Sequence, residues 1–284
     1  MPRVVTARLG ALGAAVAAVV AATACGGAAG DLNTQAPTLA AAATPADLDD
    51  DIVGFAPGEQ LSFEVRVAGV LAGEAQFAAG KPGVVDGRRA IAVSSVIKSA
   101  GAFALIKEVK DEVTSIIDLE RTRPMRTTSD VIFGARRYHA DTAFSDHGAK
   151  ILYTPHGEST RELVYDFGDA VVHDAHSSMA LVRTWTADPG ERIALWVIGG
   201  RRLWRTEIWV VGTEVIGTHL GNQPAIRIDG TSVRSRPDLT PEPNKPPRSF
   251  SVWLSDDADR VPLRFSAHTE LGDIVIDLVA YERP

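Results

Sequence analysis

Apolar and polar residues alternate along most of the chain from Phe55 onward, and the period is two. Gln60 to Val67 sets the pattern. Leu61, Phe63, Val65 and Val67 fall on one face, and Ser62, Glu64 and Arg66 on the other, which predicts a half-buried strand. Ala68-Gly69 turns the chain, and Leu71 to Ala79 returns as the second arm of a hairpin. The same reading predicts strands at Arg89 to Lys98 and Lys110 to Asp118. Arg126 to Phe133 and Arg137 to Phe144 flank Gly134, and Ile151 to Thr154 and Glu162 to Phe167 flank a Pro-His-Gly turn. Six more follow: Arg192 to Ile198, Leu203 to Val211, Ala225 to Arg234, Ser249 to Leu254, Leu263 to His268 and Ile274 to Tyr281. Gly, Pro, Asn and Asp punctuate them.

One segment breaks the period. From Asp174 to Trp185, Met179, Leu181, Val182 and Trp185 share a helical face, Asp174 or Ser177 supplies the cap, and Asp188-Pro189-Gly190 stops the helix. Gly101 to Ile106 reads as a second, shorter helical turn. The stretch Arg236 to Arg248 carries five prolines and is a loop between strands, since no central strand tolerates them. Many strands at hairpin spacing with one short helix predict an all-β fold. We expect a curved antiparallel sheet or barrel, with residues 55–284 forming a single β-rich domain.

The first 54 residues are different in kind. Arg3 and Arg8 precede an uncharged run from Leu9 to Ala22, the layout of an export signal and too short for a comfortable membrane span. The run ends Ala22-Thr23-Ala24-Cys25-Gly26. Small residues before a cysteine resemble the bacterial lipobox, with Ala22 where Leu is commonest. That resemblance implies cleavage after residue 24, a diacylglyceryl group on Cys25 and attachment to a membrane. Gly26, in place of an Asp, implies the periplasmic face of the outer membrane where the host has two membranes. Cys25 is the single cysteine, so no internal disulfide can form. Residues 25–54 are rich in small residues, prolines and aspartates, without an aromatic, Lys or Arg, and read as a flexible linker.

Composition narrows the partners. The chain is 45% hydrophobic and 23% charged with a formal charge of −7. Loss of Arg3 and Arg8 with the leader makes the balance more acidic still. An acidic balance argues against nucleic acid.

Two stretches carry a family resemblance. The first is Phe55-Ala-Pro57-Gly58-Glu59-Gln-Leu61-Ser-Phe63 with Gly69-Val-Leu-Ala72-Gly73-Glu74. The second is Val252-Trp253-Leu254-Ser255-Asp256-Asp257, then Arg260-Val261-Pro262 and Gly272-Asp-Ile-Val. Together, with a short helix ending in Arg183 between them, they resemble the bacterial exported family called domain of unknown function 3108. The resemblance covers nearly all of residues 55–284 and implies an all-β, envelope-associated protein with no assigned activity. Locally, Pro57-Gly58-Glu59 is a turn feeding the first strand, and Gly73 marks a bulge or close backbone approach. Asp256 and Asp257 belong to a strand connection whose carboxylates can accept backbone N–H bonds.

Catalytic motifs are scarce. No Gly-x-Ser-x-Gly elbow or phosphate loop occurs. His173-Asp174-Ala-His176 is the nearest thing to a metal site, but no third ligand is evident and the histidines read as surface or capping groups. Asp256, Asp257 and Asp259 do not have the spacing of a Ca²⁺ loop. We expect no metal and no cofactor. All five tryptophans lie in the second half, and Trp204 and Trp209 have opposite strand parity. Trp185, Trp204 and Trp209 are the candidate lining of a ligand site. The sequence therefore predicts a non-enzymatic envelope lipoprotein whose β-domain binds an apolar or extended ligand, such as a lipid, a glycan or a partner protein. The alternatives are a structural or assembly role through sheet edges and, with no supporting constellation, a hydrolase.

Overall fold

The computed structural model describes residues 54–269 and 272–283. The leader, Cys25 and nearly all of the linker lie outside the described residues.

Alternation becomes one continuous sheet of 16 strands. In chain order, β1 (Gln60–Val67), β2 (Val70–Ala79), β3 (Gly83–Val85) and β4 (Arg88–Ser99) are followed by a 3-10 turn, Gly101–Leu105. Next come β5 (Val109–Asp118), β6 (Arg123–Phe133), β7 (Arg136–Phe144), β8 (Gly148–Pro155) and β9 (Arg161–Asp166). After β10 (Val172–Asp174) and helix α1 (Ala175–Thr184) come β11 (Arg192–Gly199), β12 (Arg202–Thr218) and β13 (Gly221–Ser235). The last are β14 (Arg248–Ser255), β15 (Pro262–Thr269) and β16 (Gly272–Glu282). Every predicted strand is present. Two short ones, β3 and β10, were not anticipated, and β12 and β13 run well beyond their predicted ends.

Neighbouring strands are antiparallel except for β10 and β11, which are parallel and joined through α1. The order runs β10 through β16, then β1, β2 and β4 through β9, with β3 on the flank of β4. β9 and β10 are thus the two edges, and they do not pair with each other. The sheet rolls past closure instead. Val197 of β11 and Ile208 of β12 belong to the main hydrophobic cluster, with α1 and strands β1, β2 and β4. Ile198 and Leu203, on the opposite parity of the same two strands, belong to a second cluster with Ala140, Ile151 and Tyr165 of β7, β8 and β9. Val93, Ser115, Thr127, Thr142 and Ile151 form one cross-strand row from β4 to β8, so the face that lines the main cluster also covers β10–β12 from behind. The β11–β12 turn crosses beneath this flap. A Cβ on Gly200 would lie 3.0 Å from the Tyr138 hydroxyl, the Arg201 guanidinium sits 4.6 Å from the Tyr153 ring centroid, and the Tyr165 hydroxyl donates to the Arg201 carbonyl at 3.2 Å.

Helix α1 fills the roll. Met179, Ala180 and Val182 join the main cluster. The void left beside the helix, between Phe55, Phe77 and Phe265, is about 30 Å³, which is water-sized. Helix α1 thus takes up interior space that an empty barrel would leave open.

Candidate functional site

The motif residues converge on one structural latch. Ala56-Pro57-Gly58-Glu59 is a turn closed by Glu59 N–H donating to the Ala56 carbonyl at 3.0 Å, with Gly58 at φ +83°. Proline at the second position and a left-handed glycine at the third are what such a turn requires. The turn delivers the Glu59 side chain, fully buried, to Arg183 on the last turn of α1. The guanidinium donates to both carboxylate oxygens, at 2.5 and 3.2 Å, and to the Asp259 carbonyl at 2.9 Å. Asp257 shapes the β14–β15 turn that presents that carbonyl. Its Oδ1 accepts from the Ser255 hydroxyl at 2.7 Å and from Asp259 and Arg260 N–H groups at 3.0 Å. The Arg260 guanidinium then donates to the carbonyl of Trp185, the residue capping the helix. The neighbouring Asp256 side chain is exposed. Gly73 lies where the β1–β2 register slips, and a Cβ there would come within 2.7 Å of the Lys98 carbonyl. These residues lock a helix into a sheet.

The start of α1 is a second buried polar cluster. Asp174 caps the helix, accepting from Ser177 N–H at 2.8 Å while the Ser177 hydroxyl accepts from Asp174 N–H at 3.0 Å, which is the reciprocal capping box. Thr127 on β6 donates to the other Asp174 oxygen at 2.5 Å. His176 has Ser115 at 2.7 Å from Nδ1 and Ser95 at 2.9 Å from Nε2. Burial lowers the pKa of both His173 and His176, that of His173 to about 4. Both are buried, so the expectation of surface histidines gives way to a neutral pair inside the roll. The ring nitrogens of His176 are occupied by serine hydroxyls, and no group of three His, Cys, Asp or Glu that could hold a metal ion is gathered among the described residues. Burial also raises the Asp111 carboxyl well above its ordinary range, with Glu112 adding to the effect.

The tryptophans do not assemble one site. Trp185 sits at the C-terminus of α1. Trp204 is on the inner face of β12, and Trp209, on the opposite face, is covered by the Arg192 guanidinium at 4.9 Å. Trp253 is half-buried on the outer face, donating to Glu214 at 2.6 Å.

A far larger space than the void beside the helix lies elsewhere. A cleft of about 890 Å³ opens at the strand ends formed by the β3–β4, β5–β6 and β7–β8 turns. Its apolar wall includes Ile116, Met125, Phe144, Leu152, Phe167 and Val172. Its rim carries Arg88, Arg121, Arg123, Arg126 and Lys150. Four of these five are paired, with Asp118, Asp146, Asp141 and Glu162. Arg123 makes no ion pair among the described residues. Sequence reasoning missed this cleft because its lining comes from three turns and two strand faces, with no local signature. Among the described residues no helix is long and apolar enough to cross a membrane.

Comparison with known proteins gives a family and a fold. Residues 62–279 match the family described as Protein of unknown function (DUF3108). No curated protein matches. Among solved structures, the beta-barrel-like protein of domain of unknown function DUF1849 from Brucella abortus superposes with a TM-score of 0.52 at 7% identity, covering 80% of this chain and 97% of that one. An exported protein of YmcC-like fold from Bacteroides fragilis gives 0.38 at 11% identity over 81% and 98%. The lipoprotein LppX of Mycobacterium tuberculosis gives 0.24 at 12% identity over 79% and 87%.

Proposed function

We propose that this chain, which belongs to the DUF3108 family, is a lipid-anchored envelope protein that binds an amphipathic ligand and does not transform it. The observation that carries the reading is the cleft of about 890 Å³, apolar on its walls and charged on its rim. Its volume is that of a small-molecule site, against about 30 Å³ for the void beside α1 in the roll. The leader and the lone Cys25 support attachment at the envelope. The cleft opens at the end of the strands where β1 begins, so a tether entering at Phe55 would hold it near the membrane. The buried polar groups support binding over catalysis, because His176, Asp174, Glu59 and Arg183 are committed to bonds that fix α1.

The test uses full-length protein and the fluorescent probe N-phenylnaphthylamine. Saturable binding, competed by envelope phospholipid, is expected. Leu152→Arg places a charge in the cleft at a residue already 39% exposed, so it should abolish binding and spare the fold. A folded protein that does not bind the probe, or a variant that binds like wild type, sinks the reading. Cys25→Ala should move the protein from the membrane to the soluble fraction.

A further inference from the structure

Toward one end of β12, β13 and β14, the inner face of the roll turns from apolar to cationic. Ile208 and Phe250 lie in the main cluster. Above them the Thr206 and Ser232 hydroxyls pair at 2.8 Å. The next row is Trp204 opposite Arg234, and beyond it, on the same parity, comes Arg202. Arg248 stands opposite Ser232, and its guanidinium lies 5.3 Å from the Trp204 ring centroid.

Two features of this end call for an acceptor. Trp204 is only 5% exposed, yet its indole N–H has no hydrogen-bond partner among the described residues. A buried donor is rarely left unpaired. Arg202 is half-buried and forms no ion pair among the described residues, while Arg234 takes Glu242 at 2.5 Å. Of the two guanidiniums, only Arg234 is paired with a carboxylate among the described residues. Burial first, then Arg201 and Arg234, lower the pKa of Arg202, the direction expected where positive charge lacks compensation.

We propose that this end of the roll binds a phosphate group, held by Arg202, Arg234 and the Trp204 N–H. Phosphate offers several acceptor oxygens to two guanidinium forks and one indole donor, and its negative charge, roughly −1.5 to −2 as a free or monoester phosphate and less as a diester, suits two guanidiniums of which only Arg234 is ion-paired among the described residues. None of these residues lines the cleft, so the site stands or falls independently of the ligand proposed there. The phosphate can belong to a lipid headgroup or to a soluble ion.

Full-length protein in phosphate-free detergent buffer is titrated with inorganic phosphate, followed by isothermal titration calorimetry. Saturable binding is expected. Arg202→Gln should weaken it about tenfold or more, the loss of one charge-assisted contact. Trp204→Phe keeps an aromatic side chain, removes the donor and should weaken binding in protein whose folding is confirmed by circular dichroism, with Trp204→Leu as the control for lost volume. Glu242→Gln removes a competing carboxylate and should tighten it. Absence of saturable binding by folded protein overturns the site, as do equal affinities in wild type, Arg202→Gln and Trp204→Phe. The source is read with Cys25→Ala protein and vesicles. Capture by phosphatidylglycerol vesicles but not neutral glycolipid vesicles, competed by phosphate, supports a headgroup. Phosphate binding without capture supports a soluble ion.

Discussion

Glu59 and Arg183 are 124 positions apart and form a fully buried ion pair. Such a pair returns its desolvation cost only when geometry and further bonds are good. Here the guanidinium is bidentate and has a third acceptor in the Asp259 carbonyl. Removing one partner leaves the other charge buried and uncompensated, so Glu59→Gln and Arg183→Met should each cost about 3–5 kcal/mol. The double change Glu59→Gln with Arg183→Met should cost less than the two single losses added, because neither charge is then stranded. Chemical denaturation of the four proteins measures this. Additive losses would show that the residues act independently, against the latch. The sequence displayed Pro57-Gly58-Glu59 as a turn, and that reading holds. It could not display the partner, because nothing local to Glu59 says which of the chain's cations will reach it. The pairing exists only once α1 is placed inside the roll.

At the scale of elements, α1 carries the groups that should set the pH dependence of stability. His173 and His176 are neutral in the fold because burial penalises the imidazolium, Asp174 opposing the shift at both and Arg123 reinforcing it at His173. Their folded pKa values lie below the unfolded value of about 6.5. The unfolded chain therefore takes up protons first as pH falls, and stability is fully present above about pH 6.5 and lost on the way down to about pH 4. For His173 alone the loss is about 3 kcal/mol. Asp111 acts in the opposite sense. Its carboxyl holds a proton in the fold above the pH at which the unfolded chain releases it, so its contribution is present at acid pH and lost as pH rises. Denaturant midpoints measured across pH should accordingly fall below pH 6.5. His173→Asn should flatten the acid limb, and Asp111→Asn should raise stability at neutral pH. An acid limb unchanged in His173→Asn would remove that histidine from the account. The elements themselves were largely legible. The strands were, because alternation reports one buried face, and the helix was, because Asp174 opens it and Asp188-Pro189-Gly190 closes it. β3 and β10 have three residues each, too few to show a period. The outer part of the β12–β13 hairpin exposes Val211, Val215 and Leu220, so its apolar residues do not mark one buried face. The cleft and the arginine end were not legible, because each depends on register and on turns brought together from distant parts of the chain.

At the scale of the whole molecule, the overlapped roll makes the two hydrophobic clusters unequal. The main cluster is bounded by strands β11–β16, β1, β2, β4 and β5 and is plugged by α1. The second lies only between the β7–β9 flap and the back of β10–β12. β9 is a free edge and β7–β9 end the strand order, so the flap can peel away strand by strand. Peeling exposes Ile151, Tyr165 and Leu203 and breaks the β6–β7 ladder, but it leaves α1, the Glu59–Arg183 pair and the main cluster in place. The reverse is not available. Opening the main cluster removes the surface of β11 and β12 on which the flap rests. Sub-global opening is therefore expected to be hierarchical. Native-state hydrogen exchange should show amides of β7–β9 exchanging at lower free energy than those of β1, β2, β4 and β16. Ile151→Ala, at a fully buried site, should cost about 2–5 kcal/mol and lower protection in β7–β9 while leaving exchange in β1 near its wild-type free energy. Val65→Ala, in the main cluster, should lower protection in both regions. Equal protection of the two regions, moved equally by Ile151→Ala, would mean that the sheet opens as one unit and that the flap is not separable from the roll it covers.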